Sequence, residues 1–222
     1  MSASIATGDI SSAIRTASDA SMAGPARPDE AYAKGVLAAA SIAPGLAPVV
    51  GARVGLGHGM EGGLAYTSRA VRVDARRSFS LTRNWAMSLG AGGTAVIGGK
   101  VGEPVPGLDL GTLHGWGADL PVLVGYASEA DLYRLWVGVR GGWEQADLSV
   151  QGASTVGASK AALSATRVWG GGLLGLAVGF RHVHVAMEVD VCYVAVAGDY
   201  AGTHARVAGL TWAPASSVWW EF

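Results

Sequence analysis

The chain has 222 residues, room for one domain; half are apolar and only 15% are charged, against about 25% charged in an ordinary soluble protein. A net charge of -1 with no basic stripe excludes an electrostatically driven nucleic-acid binder. The single cysteine, Cys192, excludes an intrachain disulfide framework or a thiolate metal cage.

Mean hydropathy is +0.32, yet no run approaches the roughly 18–20 uninterrupted apolar residues of a membrane helix. Without such helices, a closed sheet is the remaining way to satisfy a backbone in lipid. Residues 1–34 read as a flexible polar arm, rich in Ser, Ala, Thr and Asp. No secretory leader is legible there. The apolar stretch Val36–Ala52 follows Lys34, but two prolines interrupt it.

From residue 35 to 222 the pattern has a period of two, which separates side chains onto the two faces of a strand. The spacing predicts ten strands, at 35–44, 48–57, 60–68, 70–79, 85–98, 113–127, 132–148, 166–180, 183–197 and 204–222. Pro214 predicts a bulge or break in the last. Val183, Val185, Met187, Val189, Val191 and Tyr193 fall on one face, and His184, Ala186, Glu188, Asp190 and Cys192 on the other. Long connections at 99–112 and 149–165 both follow odd-numbered strands, while the alternate connections are short. That asymmetry suits an antiparallel up-and-down transmembrane β-barrel, ten strands with eight as the alternative. The 34 glycines would let the wall curve and make room for large interior side chains.

The C-terminus reads Val218-Trp219-Trp220-Glu221-Phe222. A terminal Phe222 with Trp220 and Val218 at alternate preceding positions resembles the assembly signal of bacterial outer-membrane β-barrel proteins. The resemblance covers about residues 35–222. It implies recognition of the last strand by the outer-membrane assembly machinery, a location in the outer membrane of a Gram-negative bacterium, and a lipid bilayer as partner. Pro214, Ala213, Ala215 and Ser216 depart from the cleaner apolar and glycine pattern of that family.

On such a barrel the expected lumen-lining set is Arg53, Glu61, Arg72, Asp74, Arg76, Arg134, Arg140, His184, Glu188, Asp190 and Arg206. These charges should pair with one another, and an inward surplus of Arg would favour a small polar or anionic solute. Trp85, Trp116, Tyr126, Tyr133, Trp143, Trp169, Trp219 and Trp220 lie near strand ends, where a membrane-interface belt places aromatics. Gly57-His58-Gly59-Met60-Glu61-Gly62 formally matches a dinucleotide fingerprint, but the next element is a strand, so a hairpin is expected. His182 and His184 are read as lumen wall rather than a metal site, and no cofactor is implied.

The expected function is that of an integral barrel that anchors, presents the loops at 99–112 and 149–165, or passes small polar solutes. A barrel hydrolase using a rim histidine, with His114 near Asp119 or His204 near Asp199, is the alternative enzyme. No nucleophile motif such as G-x-S-x-G accompanies either pair. A soluble lipocalin-like carrier is the third reading, and would turn its apolar rows inward.

Overall fold

The computed structural model describes residues 2–6, 9–22, 30–42, 45–67, 69–98, 112–130, 132–151, 160–180 and 182–221. The N-terminal region, expected as a flexible polar arm over residues 1–34, forms a short strand β1 (Ser2–Ala6) and two helices, α1 (Asp9–Met22) and α2 (Glu30–Ser41). The expected strand at 35–44 is therefore mostly helix. Its alanines at 31, 33 and 38–40 are the strongest helix formers, and Glu30 pairs with Lys34 one turn on at 2.7 Å. A short apolar run reads equally as buried helix or strand, and here tertiary packing makes it helix.

A three-residue strand β2 (Gly45–Ala47) follows, and then nine long strands in sequence. They are β3 (Val49–Gly57), β4 (Met60–Thr67), β5 (Ala70–Ser80), β6 (Trp85–Val96), β7 (His114–Ala127), β8 (Tyr133–Gln151), β9 (Lys160–Phe180), β10 (Val183–Tyr200) and β11 (Thr203–Trp220). All pair antiparallel in one sheet of order β2-β1-β11-β10-β9-β8-β7-β6-β5-β4-β3. The hydrogen-bonded ladder is thus a nine-stranded meander with two short strands added beside β11, not the closed ten-stranded ladder expected. Most boundaries agree with the alternation to within a few residues. The largest boundary shift is at β9, which starts at Lys160, while β8 runs to Gln151. Residues 149–151 and 160–165 of the expected loop are therefore strand, and the rest lie outside the described residues. Pro214 does not interrupt β11. It lies opposite Val189, and the other neighbour of β11 is only the five-residue β1, a place where a missing donor is tolerated.

The connections after β3, β5, β7 and β9 are short and share one end with the C-terminus, the short-turn end. The Gly57–Gly62 motif is one of these turns, with His58 at φ 53° between Gly57 and Gly59, both also left-handed. The opposite, long-loop end holds both helices and the C-terminal ends of β6 and β8.

The two faces of the sheet differ sharply. On β10, Val183, Val185, Met187 and Val189 are exposed, whereas His184, Ala186, Asp190 and Cys192 are buried. The same polarity holds on β8, where Leu135, Val137 and Val139 are exposed, and on β9, where Leu174, Leu176 and Val178 are. Apolar rows face out and ionic ones face in. This is the opposite of a lipocalin-like interior.

Near the long-loop end the inner face changes character. There Leu148, Leu163, Val196 and Val207 of the wall are buried with Ile10 and Ala17 of α1 and Val36 and Leu37 of α2. The Cβ-less Gly35 lets α2 close on Ala13 and Ala17 of α1. The helices therefore form an apolar stopper against the inner faces of β9, β10 and β11.

Candidate functional site

The inner face below the stopper carries a network of separate ionic clusters, the largest joining Arg53, Glu61, Arg72, Asp74, Arg76 and Asp119. Asp74, 8% exposed, accepts from Arg53 (2.8 Å) and Arg72 (2.7 Å). Arg72 also grips Asp119 with Nη2 at 2.7 Å and Nε at 3.1 Å. Arg76 meets Glu61 at 2.8 Å, and Arg140 meets Asp190 at 3.0 Å while lying over the Trp169 ring at 4.9 Å. Glu144 sits between Arg69 (3.4 Å) and Arg167 (3.5 Å). At the short-turn end Arg134 holds Glu221 with a fork at 2.6 and 3.0 Å, and Trp219 Nε1 donates to the same carboxylate at 3.1 Å. Planar guanidinium geometry suits such bridging, and mutual pairing offsets the cost of removing these charges from water.

Glycine makes the space. A Cβ on Gly175 would strike the Trp136 indole, one on Gly179 the His184 ring, and one on Gly142 the Trp169 ring at 2.7 Å. Flat side chains therefore lie directly against bare backbone. Trp219 in turn stacks on His184, with ring centroids 5.3 Å apart.

The expected lumen residues fall on the inner face with one exception. Arg206 shares its parity with Leu210 and Trp212 and is exposed on the outside, while its neighbours Ala205 and Val207 are buried. The set also omitted Arg69, Asp119, Glu144, Arg167 and Glu221, all of which join the network. Among the described residues seven arginines (53, 69, 72, 76, 134, 140, 167) face seven carboxylates (61, 74, 119, 144, 188, 190, 221). Among the described residues, then, the inward arginines do not outnumber the inward carboxylates.

The aromatic set divides. Trp85, Tyr126 and Tyr133 form an outward cluster at the short-turn end, with centroids 5.3 and 6.1 Å apart. Trp116 and Trp143 pack edge to face at 4.6 Å on the outer side toward the long-loop end. Trp220 is outward and stacks with His182. Trp169 and Trp219 are interior instead, because they follow the parity of Arg167 and of Ala213 and Ser217, all inward. Of the terminal signal, Val218 and Trp220 lie exposed on the outer face, and Phe222 lies outside the described residues.

The outward rows are bounded. On β8 they run from Tyr133 to Trp143 and then turn polar at Gln145 and Asp147; on β10 they run from Val183 to Tyr193 before Asp199. Each apolar row covers about 11 residues, the length of a tilted strand crossing. Arg77, lying over the Phe79 ring at 5.1 Å near the short-turn end, is the charge within these rows among the described residues.

Above the rows, His114, Asp147, Ser164, Asp199 and His204 are register partners across five adjacent strands. His204 Nδ1 lies 3.4 Å from Asp199, both exposed. Ser164 has Asp147 and Asp199 as its register partners and sits on the far side of Asp199 from His204, so neither rim histidine is its register partner. His114 is outward and Asp119 inward, which separates the other rim pair. Among the described residues no His, Cys, Asp and Glu cluster could hold a metal ion.

Two adjoining cavities occupy the interior. One of about 570 Å³ lies along the ionic network. The other, about 500 Å³, lies at the short-turn end between Asn84, Arg134, Trp136, Glu188 and Trp219. Comparison with family profiles, with characterised proteins and with solved structures returns no match.

Proposed function

We propose that the chain is an integral outer-membrane protein whose sheet closes into a ten-stranded barrel, stoppered on the long-loop side by α1 and α2. The observation that carries this reading is the outer surface: apolar rows about 11 residues long, edged by aromatics and backed by an ionic interior.

Closure is supported by the chain itself. β2 and β3 stand at opposite ends of the pairing order, yet only Pro48 separates Ala47 from Val49. They run in the same direction, as two halves of one strand, with β1 hydrogen-bonded to the first half and β4 to the second. Counting that strand once, together with β1 and β4 to β11, makes ten. From Ala47 the register passes through Ser2, Ala215, Glu188, Gly175, Trp136, Gly125 and Ala86 to Ser80, level with the turn that follows β3. One circuit thus advances the register by about 12 residues, an even stagger that keeps inward side chains inward and tilts ten strands by roughly 40°. At that tilt the outer rows stand roughly 27 Å tall, close to the apolar band of about 25 Å on such barrels.

The short turns and the C-terminus would face the periplasm, and the long loops and helices the exterior. Because the stopper fills the outer mouth, anchoring and surface presentation are favoured over passive flow. In cells the protein should sediment with membranes through carbonate and high salt, and migrate faster unheated than boiled. Release by carbonate without detergent overturns the assignment.

A further inference from the structure

We infer that the 500 Å³ chamber at the short-turn end is a binding site for a small organic cation, an alkylammonium, with Glu188 as its counter-charge. This rests on the reading that the sheet encloses the chamber.

The argument is one of pairing. Among the described residues six inward carboxylates take up all seven inward arginines: Glu61, Asp74, Asp119, Glu144, Asp190 and Glu221 each lie within 4 Å of at least one guanidinium. Glu188 does not. Among the described residues its one polar partner is the Trp136 indole, whose Nε1 donates to Oε2 at 2.7 Å. The positive charge that balances Glu188 overall lies at the opposite end of the interior. There Arg69 and Arg167 share Glu144, and Arg167 donates to the Ser41 carbonyl at the C-terminus of α2 at 2.6 Å, an end that carries partial negative charge.

The chamber walls suit the same ligand class. Trp136 lies flat on Gly175, and Trp219 on His184, which itself lies on Gly179, so indole surface lines the space beside the carboxylate. Arg76 and Arg134 also line it, but Glu61 and Glu221 neutralise them at 2.8 and 2.6 Å. A desolvated ammonium beside an indole and a carboxylate gains from both. A halide or carboxylate would meet Glu188 and find no unpaired guanidinium.

The test uses the full chain refolded in detergent, its folding checked first by heat-modifiable mobility. Choline is compared with its neutral carbon isostere, 3,3-dimethylbutan-1-ol, by quenching of tryptophan fluorescence. Choline should bind about tenfold more tightly than the isostere, and Glu188→Gln should remove that preference. The amide can still accept from Trp136, so the variant should fold. Trp136→Phe keeps a ring face and should retain a choline preference within a few-fold. Equal binding of the two probes, no binding to folded protein, or an undiminished preference in Glu188→Gln overturns the proposal. If the protein does not show the barrel's mobility shift, the enclosing barrel has failed instead, which is a separate outcome.

Discussion

Asp74, 8% exposed, accepts from Arg72 on its own strand and from Arg53 on β3, so its removal takes a counter-charge from both and leaves Arg72 with Asp119 and Arg53 with Glu61 at 3.8 Å. Asp74→Ala should cost about 2–3 kcal/mol, below the full penalty for a wholly buried pair because Arg53 and Arg72 keep some solvent. Denaturant unfolding in detergent checks this. Glu221 responds to pH. The Arg134 fork holds its carboxyl below the usual carboxylate range, with burial opposing and Trp219 assisting. Its folded-state pKa is therefore depressed. Its contribution to stability is full above the unfolded value of about 4.3 and is lost as pH falls through the folded value. Thermal unfolding between neutral pH and pH 3 should show the wild type losing its advantage over Glu221→Gln across that window. Equal pH dependence in both contradicts the pairing. Outside the strands, burial pushes the Arg69 guanidinium down to about 10, against the pull of Glu144, so it remains charged at neutral pH.

Much of this network was legible residue by residue. Parity on β10 assigns Glu188 and Asp190 to one face, as found. Parity also assigns Glu144 to the face of Arg134 and Arg140, and Asp119 to that of Gly115 and Gly117, signals that sequence reading passed over. Arg206 shows the converse error, since the outward parity of Leu210, Trp212 and Trp220 already places position 206 outside. Proximity to a strand end says nothing about which face Trp169 or Trp219 occupies. Arg69 lies between two strands, where alternation carries no information.

Among the elements, α2 is the one that would stopper the proposed barrel. Its packing on α1 depends on Gly35, whose added Cβ would meet Ala17 and the Ala13 carbonyl. Gly35→Leu should dislodge the helix pair and raise the permeability of proteoliposomes to small sugars above the wild-type level. A stopper that stays seated would leave permeability unchanged. The wall strands tolerate change by depth. Met187→Arg, in the middle of the exposed row of β10, should cost about 2–4 kcal/mol in lipid. The same residue at Ala197, above the row, should cost about 0–1 kcal/mol. Refolding titrations into vesicles measure both. The strands could be read from their alternation because a sheet with one apolar and one ionic face imposes a period of two. The helices could not, because residues 36–40 present an unbroken apolar run whose burial fits either geometry. The Glu30–Lys34 spacing and the alanines were the available helix signal.

At the scale of the whole molecule, two observations have to agree: the outer face carries apolar rows about 11 residues long, and the inner face is ionic with its charges balanced among the described residues. The most direct measurement is accessibility along β10. With Cys192 replaced by serine, single cysteines at 183–190 are spin-labelled in vesicles and exposed to oxygen, which concentrates in lipid, and to a water-soluble nickel chelate. Positions 183, 185, 187 and 189 should be relaxed by oxygen and shielded from nickel, while 184, 186, 188 and 190 should not show the oxygen signature. Nickel reaching Val185 and Met187 as readily as it reaches a loop, or no alternation along the strand, contradicts the account.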